Sequence, residues 1–291
     1  MQINRLGYHF RLWLGCAVVV LGACGSDAPP VDLAPSGIET PAAPLDVGAV
    51  ARGVGLAEPR NPVLDQEIAY GEAANRNLNG YLAMPADAVE PPPGLLVVHD
   101  RWGLDAPTRA WVRRLAGEGF VVLAVDLFDG EIAESPQVAR ALMARVTEAP
   151  EATLANLKQG YEYLARYALA PKVAAIGQSF GGTWALEAGL VAPGELDAIV
   201  VYYGQIVRDE SRLAMLESPL LAMYGAEDKS IPVGDVRTFR ATLTQLGKDS
   251  EVYIYTHVGH GFASPSADGY DAETAEDAWQ RALEFLSERL R

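Results

Sequence analysis

The chain has 291 residues, 49% of them hydrophobic, which is enough for one sizeable folded core and a tail. Its 38 acidic residues outnumber its 23 basic residues and give a formal net charge of −15. Such a charge repels nucleic acid, so no nucleic-acid partner is expected, although many exported proteins are acidic simply to stay soluble.

The first two dozen residues have the pattern of an export signal. Arg5 and Arg11 come without any acidic residue, and the apolar run at 12–21 is too short to be a stable membrane span. The segment Leu-Gly-Ala-Cys that ends at Cys24 resembles the lipobox of bacterial lipoproteins, in which the cysteine becomes the lipidated first residue. We therefore expect residues 1–23 to be a lipoprotein signal peptide and Cys24 to anchor the chain to a membrane. The alternative is an ordinary cleaved signal with an incidental cysteine.

Cysteine usage and the residues after Cys24 agree with an exported, anchored chain. The only other cysteine, Cys16, lies inside the apolar run, so the mature protein cannot form an intramolecular disulfide. No aspartate follows Cys24 directly, which in bacterial lipoproteins favours the periplasmic side of the outer membrane. Residues 24–62 are rich in proline and alanine and have no sustained period, which predicts a flexible tether.

From residue 63 to residue 291, short β-rich runs alternate with helical patterns. This rhythm predicts an α/β domain with a mostly parallel central sheet and helices on both faces. Two early runs, 67–70 and 78–84, predict an antiparallel edge. Helical patterns lie around Trp111, over 136–167 and over 271–290. The expected central strands are near-continuous apolar runs, typical of strands buried on both faces, at 95–99, 121–125, 173–176, 198–202, 220–224 and 252–255.

A candidate nucleophile follows the strand at 173–176. Ser179 lies in a G-x-S-x-G pattern, and a helical pattern starts near Thr183. A serine on a sharp strand-to-helix turn has a strained backbone, so the residues two before and two after it must be small, and Gly177 and Gly181 are. The following helix directs its N-terminal amides at a developing oxyanion. The alternative is a serine that only caps the helix.

An acid and a base follow in the chain order Ser, Asp, His that the α/β-hydrolase fold uses. Asp228 comes after a strand and a glycine turn, which brings a carboxylate to the edge of the sheet where ligands bind. Its rival is Glu227, and Asp228 could instead be a turn residue that bonds its own backbone. His260 lies between two glycines after the last strand, with His257 as its rival.

These positions predict a catalytic triad of Ser179, Asp228 and His260. His99 ends a strand and is expected to be structural. The three histidines of the mature chain are far apart except for His257 and His260, which follow a strand three residues apart, and no cysteine cluster exists, so no metal site is expected.

Taken together, these motifs resemble the dienelactone hydrolase family over residues 63–291. The resemblance implies a cofactor-free, single-domain hydrolase of small-molecule esters or lactones. It also implies that the backbone N–H groups of Phe180 and Arg101 form an oxyanion hole, and that Asp100 and Trp102 line the site. The segments that carry the resemblance are 97–104, 125–128, 177–182, 202–204, 225–232 and 259–262.

Three positions depart from the family pattern. Ser179 stands where the family usually has cysteine, Asp100 where glutamate is common, and Ser264 where an arginine often follows the histidine by four residues. A serine activated by an imidazole performs the same chemistry, so the predicted function is hydrolysis of esters or lactones through an acyl-enzyme. The departures argue against dienelactone itself as the substrate. The alternatives are an amidase or peptidase on the same triad, and an inactive lipoprotein binding module.

Overall fold

The computed structural model describes residues 58–291, so the signal peptide 1–23, Cys24 and most of the tether lie outside the described residues. An eight-stranded sheet has the order β1-β2-β4-β3-β5-β6-β7-β8. The strands are β1 Val63–Ala73, β2 Arg76–Pro85, β3 Gly94–Val98, β4 Val121–Val125, β5 Val173–Gln178, β6 Ala198–Tyr202, β7 Leu220–Gly225 and β8 Ser250–Tyr255.

The pairing of the strands confirms the predicted fold class. Strands β1 and β2 form an antiparallel hairpin, β2 also pairs antiparallel with β4, and every pair from β4 through β8 is parallel. The hairpin turns through Ala74 and Asn75, which both have positive φ. A two-residue turn of this hand matches the twist of the flanking strands.

Helices cover both faces of the sheet. Helices α1 and α7 lie together on one face, where Arg114 pairs with Glu276, and α3 and α4 pack together on the other. Every residue of β3, β4 and β6 is buried, because helices cover these strands from both sides. The helices are α1 Ala106–Gly117, α2 Pro136–Glu148, α3 Pro150–Arg166, α4 Phe180–Val191, the single turn α5 Glu210–Leu213, α6 Val233–Gln245 and α7 Ala272–Leu290.

Helix α4 begins at Phe180, three residues before the start that the sequence pattern suggests. Two glycines in its first turn have low helix propensity, which moved the sequence-based start too late. The fold requires one of them, because a Cβ at Gly181 would lie 2.0 Å from the carbonyl oxygen of Val98. Close packing of the helix against β3 thus overrides local propensity and places Ser179 at the helix N-terminus.

The order of the strands reverses between β3 and β5. From β3 the chain continues to β4 on one side, whereas β5 lies on the other side. In parallel sheets, such a switch opens a crevice beyond the carboxyl ends of the strands, where ligands bind. Within residues 58–291, no helix is both long enough and apolar enough to cross a membrane.

Candidate active site

Ser179 occupies the sharp turn between β5 and α4. Its φ of 52° and ψ of −115° are strained for a residue with a side chain, at a cost of about 1–3 kcal/mol. The surrounding fold supports this backbone, since the Ser179 N–H donates to the Tyr202 carbonyl at 2.9 Å. A Cβ at Gly177 would lie 2.3 Å from the carbonyl carbon of Gly181, so the turn requires glycine there. The strain presents the serine hydroxyl at the carboxyl end of the sheet.

The structure brings Ser179, His260 and Asp228 into one hydrogen-bonded chain. Ser179 Oγ lies 2.8 Å from His260 Nε2, and His260 Nδ1 lies 2.8 Å from Asp228 Oδ2. A carboxylate only accepts hydrogen bonds, so Nδ1 carries the proton and Nε2 is left to accept from the serine hydroxyl. This is the arrangement that makes a serine nucleophilic.

Asp228 is buried and held in place by its own turn. Its Oδ1 accepts from the N–H groups of Ser230 at 2.7 Å and Ile231 at 3.0 Å, which leaves Oδ2 for His260. Burial raises the pKa of the Asp228 carboxyl, but the hydrogen bond and charge of His260, together with the two N–H groups, outweigh burial and lower it below the ordinary value. The carboxyl therefore stays ionised opposite the imidazole.

The two rival residues lie outside this chain of hydrogen bonds. Glu227 is exposed to solvent. His257 is also exposed, and its Nε2 lies 3.2 Å from the Thr274 hydroxyl of α7. Neither side chain contacts Ser179.

His99 is buried and holds the loop after β3. Its Nδ1 donates to the Asp100 carbonyl at 2.8 Å, and its Nε2 accepts from the Leu127 N–H at 3.0 Å. Burial lowers the pKa of His99, in keeping with this neutral tautomer. Because a trans peptide is planar, fixing the Asp100 carbonyl also fixes the Arg101 N–H in the opposite direction. The role of His99 in the described structure is to orient this peptide.

The two expected oxyanion donors are free backbone N–H groups. Within residues 58–291, neither the Arg101 N–H nor the Phe180 N–H donates to a protein acceptor. The Phe180 N–H lies at the start of α4, where the helix dipole adds partial positive charge. The Phe180 ring packs against Phe128 with 5.9 Å between the ring centroids, and Phe128 packs against the His99 ring with 4.5 Å between the centroids. One aromatic cluster thus supports both loops that carry these N–H groups.

Asp100 lies beside the proposed nucleophile and is largely buried. Its Oδ1 accepts from the Trp102 N–H at 2.8 Å. Burial raises the pKa of the Asp100 carboxyl to about 6, and Asp105 adds to this rise, whereas the Trp102 N–H and the charges of Arg101 and His260 oppose it. At neutral pH the site therefore carries a negative charge held in an unfavourable environment.

The residues around the site offer it little positive charge. The exposed Arg101 side chain lies over the Trp102 ring at 4.7 Å. Ser264, where the family pattern favours arginine, contacts the Ser266 hydroxyl at 3.1 Å. Among the described residues, no group of three or more His, Cys, Asp or Glu side chains is arranged to hold a metal ion.

Tyr203 is a site residue to which the sequence analysis gave no role. It is buried and has a φ of 41°. Its ring centroid lies 5.1 Å from that of His260 and 5.1 Å from that of Phe262. Its hydroxyl donates to Gln178 Oε1 at 2.9 Å. The Tyr-Tyr-Gly segment at the end of β6 was the only sequence feature that marked it. A side chain that packs against a catalytic side chain has no characteristic spacing in sequence, so this role could not be predicted. Tyr203 thus packs against the imidazole of His260 and helps to hold it in place.

Comparisons with known proteins show what this chain resembles. A model of the dienelactone hydrolase family matches residues 78–290. A protein of Escherichia coli K12 named "Putative carboxymethylenebutenolidase" is 30% identical over 229 residues, covering 73% of this chain and 83% of that protein. A solved structure titled "Putative Dienelactone Hydrolase" from Klebsiella pneumoniae has a TM-score of 0.70 and 29% identity, covering 78% of this chain and 99% of that chain. Esterase 2 of Thermogutta terrifontis, at 20% identity and a TM-score of 0.58, shares the fold over 77% of this chain and 94% of its own.

Proposed function

We propose that this chain, which belongs to the dienelactone hydrolase family and is a hydrolase of carboxylic esters or lactones, cleaves its substrate through an acyl-enzyme on Ser179. The observation that carries the proposal is the continuous chain of two 2.8 Å contacts from Ser179 Oγ through His260 to Asp228. The strained serine backbone also supports it, because a serine that merely caps a helix needs no positive φ.

The acylation step follows from the geometry. His260 Nε2 takes the proton of the Ser179 hydroxyl as Oγ attacks the carbonyl carbon of the ester. The N–H groups of Phe180 and Arg101 stabilise the oxyanion, and Asp228 stabilises the imidazolium. When the tetrahedral intermediate collapses, the alkoxide leaving group takes the proton from His260. A lactone opens by the same step, and its alcohol stays attached to the acyl group.

Deacylation repeats the step with water as the nucleophile. His260 Nε2 takes a proton from water as the water oxygen attacks the acyl carbon, and the same two N–H groups stabilise the oxyanion. Collapse returns the proton from His260 to Ser179 Oγ and releases a carboxylic acid. The cycle uses only the three side chains, the two backbone N–H groups and water.

A fluorophosphonate probe tests the proposal directly, because it reacts with an activated serine and leaves a mass tag on it. We expect one tagged peptide, containing Ser179, and no labelling of Ser179→Ala or of heat-denatured protein. Circular dichroism of Ser179→Ala provides the folding control. A labelled residue other than Ser179, or a folded wild-type chain that takes no label, contradicts the proposal.

We further propose that the chain is an exported bacterial lipoprotein, anchored through Cys24 on the periplasmic side of the outer membrane. The basic and apolar leader, the lipobox-like segment and the absence of a directly following aspartate support this proposal. Residues 25–57 then separate the anchor from the described domain. We expect this segment to serve as the tether between the lipid and the enzyme.

A further inference from the structure

A second feature of the site is a cavity of about 140 Å³ between α1 and α7, beyond the carboxyl ends of β3, β5 and β6. It lies beside the proposed catalytic residues without including them. Gln178, which precedes Ser179, lines the cavity, and so do Asp100 on the oxyanion loop and Ser264, four residues after His260. A substrate whose carbonyl lies at Ser179 can therefore place a neighbouring part of the same molecule in this cavity.

Five tryptophan and tyrosine side chains contribute to the walls of this cavity, alongside polar and charged side chains such as Asp100 and Glu276. Trp111, Trp279 and Tyr202 are buried, and Trp102 is half-buried. Tyr270 is 39% exposed, in keeping with a mouth that opens to solvent. Aromatic rings prefer offset or edge-on contacts with other rings, and each such pair adds about 0.5–1.5 kcal/mol beyond the burial of area.

The charges around the cavity disfavour an anion. Arg114 is the only cationic side chain among the described residues that line it, and Glu276 already pairs with this guanidinium at 3.1 Å. The guanidinium also lies 3.8 Å from the Trp279 ring centroid, so that ring covers its face. The Asp100 carboxylate has a single hydrogen bond from the described residues, donated by the Trp102 N–H. Among the described residues that line the cavity, no lysine or arginine side chain is left free to receive a carboxylate.

We propose that this cavity is a substrate pocket that takes one uncharged aromatic ring, in the acyl or the alcohol part of the ester. The inference deepens the proposed function and rests on it. The size supports a single ring, since an apolar cavity of about 150 Å³ in another protein binds benzene. A second fused ring needs volume beyond that of one ring, so we expect it to fit less well.

The test is a substrate series measured by acid release in a pH-stat, so that no chromogenic ring enters the assay. One arm compares methyl acetate, methyl phenylacetate and methyl naphthylacetate, which vary the acyl part. The other compares ethyl, benzyl and naphthylmethyl acetate, which vary the alcohol part. In at least one arm we expect kcat/KM, corrected for hydroxide-catalysed reactivity, to rise tenfold or more with one ring and to fall tenfold or more with two.

A cavity-filling variant links this preference to the cavity. Ala275 lines the cavity from α7, and Ala275→Leu should cancel the one-ring advantage. Ala241→Leu, the same change at an exposed position of α6, should leave the profile unchanged. If Ala275→Leu does not fold, the wild-type profile alone decides.

Three outcomes overturn the pocket. A flat wild-type profile with Ser179 still labelled by fluorophosphonate removes the pocket and leaves the proposed function standing. Equal effects of the two leucine variants also remove the pocket alone. Absence of both labelling and hydrolysis removes the proposed function, and the pocket with it.

Discussion

The hydrogen bond between Asp228 and His260 Nδ1 determines which imidazole nitrogen is available to Ser179. With the proton fixed on Nδ1, Nε2 must accept, and the base is poised before any substrate binds. Removing the carboxylate charge while keeping its shape should release this tautomer. The residues of the proposed triad therefore act as a unit, and Asp228 and His260 each have a neighbour of the same chemical type, Glu227 and His257, that lies outside this chain of hydrogen bonds.

These neighbours provide the first prediction. His260→Ala should lower kcat for a small ester by about four to six orders of magnitude, because the serine then lacks its base. His257→Ala, which removes only the contact with Thr274, should stay within about threefold of the wild type. Asp228→Asn should likewise cost far more than Glu227→Gln. Steady-state kinetics with a neutral ester decide the assignment, and a reversed order within either pair reassigns the role.

A second prediction concerns the buried Asp100. Its pKa of about 6 is raised mainly by burial, so the folded state holds this proton more tightly than the unfolded chain. Ionisation of Asp100 therefore lowers the free energy of unfolding as the pH rises from about 4 to about 6, and the loss persists at higher pH. Asp100→Asn keeps an acceptor for the Trp102 N–H and should stabilise the protein by about 1–3 kcal/mol at pH 8, but not at pH 4.

Urea unfolding at pH 4, 6 and 8 provides the measurement. Asp87→Asn, at an exposed position, controls for the loss of one surface charge. A gain for Asp100→Asn that is equal at all three pH values would mean that burial of the charge is not its cause. Substitutions that stabilise a protein near its active site often lower its activity.

Helix α4 shows how packing between elements creates the site. Gly181 lies against the end of β3, and a Cβ there would be 2.0 Å from the Val98 carbonyl oxygen and 2.6 Å from the His99 carbonyl oxygen. Both contacts are with backbone, which cannot move aside as a flexible side chain can. The start of the helix, the turn at Ser179 and the loop after β3 are therefore fixed relative to one another.

Gly181→Ala should consequently destabilise the fold by about 3 kcal/mol or more and abolish fluorophosphonate labelling. Gly234→Ala, in the first turn of α6, is the matched control because its added Cβ has no atom within 4 Å. That change should stabilise the protein by about 0.5–1 kcal/mol, since alanine loses less backbone entropy in a helix. Thermal unfolding compares the two variants. If both are tolerated equally, the packing argument is wrong.

The same elements show what the sequence could predict. Strands β3 to β7 are marked by apolar runs because they are buried on both faces, whereas β8 lies at the edge of the sheet and is mostly half-buried, so the expectation for 252–255 was wrong on this point. Ser179 and His260 are marked by glycine patterns that the backbone demands. The start of α4 was placed too late, because glycine propensity says nothing of a contact with β3. The cavity beside Arg114 was not foreseen, since α1 and α7, which form much of its wall, are distant in sequence. The residues that these helices contribute, such as Trp111 and Trp279, are ordinary core residues, which carry no motif.

For the whole chain, the anchor at Cys24 predicts how the enzyme partitions. Metabolic labelling with palmitate should tag the protein, and Cys24→Ser should abolish the tag and release the enzyme into the soluble fraction, because several acyl chains hold a protein durably. Cys16→Ser, a change within the expected signal peptide, should keep the label. Recovery of the wild-type protein entirely in the soluble fraction would exclude the anchor without affecting the hydrolase.

The charge of the whole molecule predicts which esters it prefers. The net charge of −15 repels anions at long range, and Asp100 repeats this repulsion beside the nucleophile. The arginine that often follows the family's histidine is absent, and the exposed Arg101 side chain lies over Trp102 instead of lining the cavity. An anionic substrate thus lacks the charge-assisted contact that an arginine gives a carboxylate.

Neutral esters should therefore be hydrolysed with a kcat/KM about ten- to a hundredfold higher than that of matched carboxylated esters, since one charge-assisted hydrogen bond is worth about 1.5–3 kcal/mol. The assay pairs such esters at fixed ionic strength, because screening weakens only the long-range part of the repulsion. Ser264→Arg should reduce the ratio of kcat/KM for the neutral ester to that for the carboxylated ester, because it adds the missing cation. Asp100→Asn should reduce the same ratio because it removes the local anion. If the carboxylated ester is favoured tenfold, the argument from Ser264 and Asp100 is wrong. The Arg101 side chain must then turn into the site when substrate binds, and Arg101→Ala would abolish that preference.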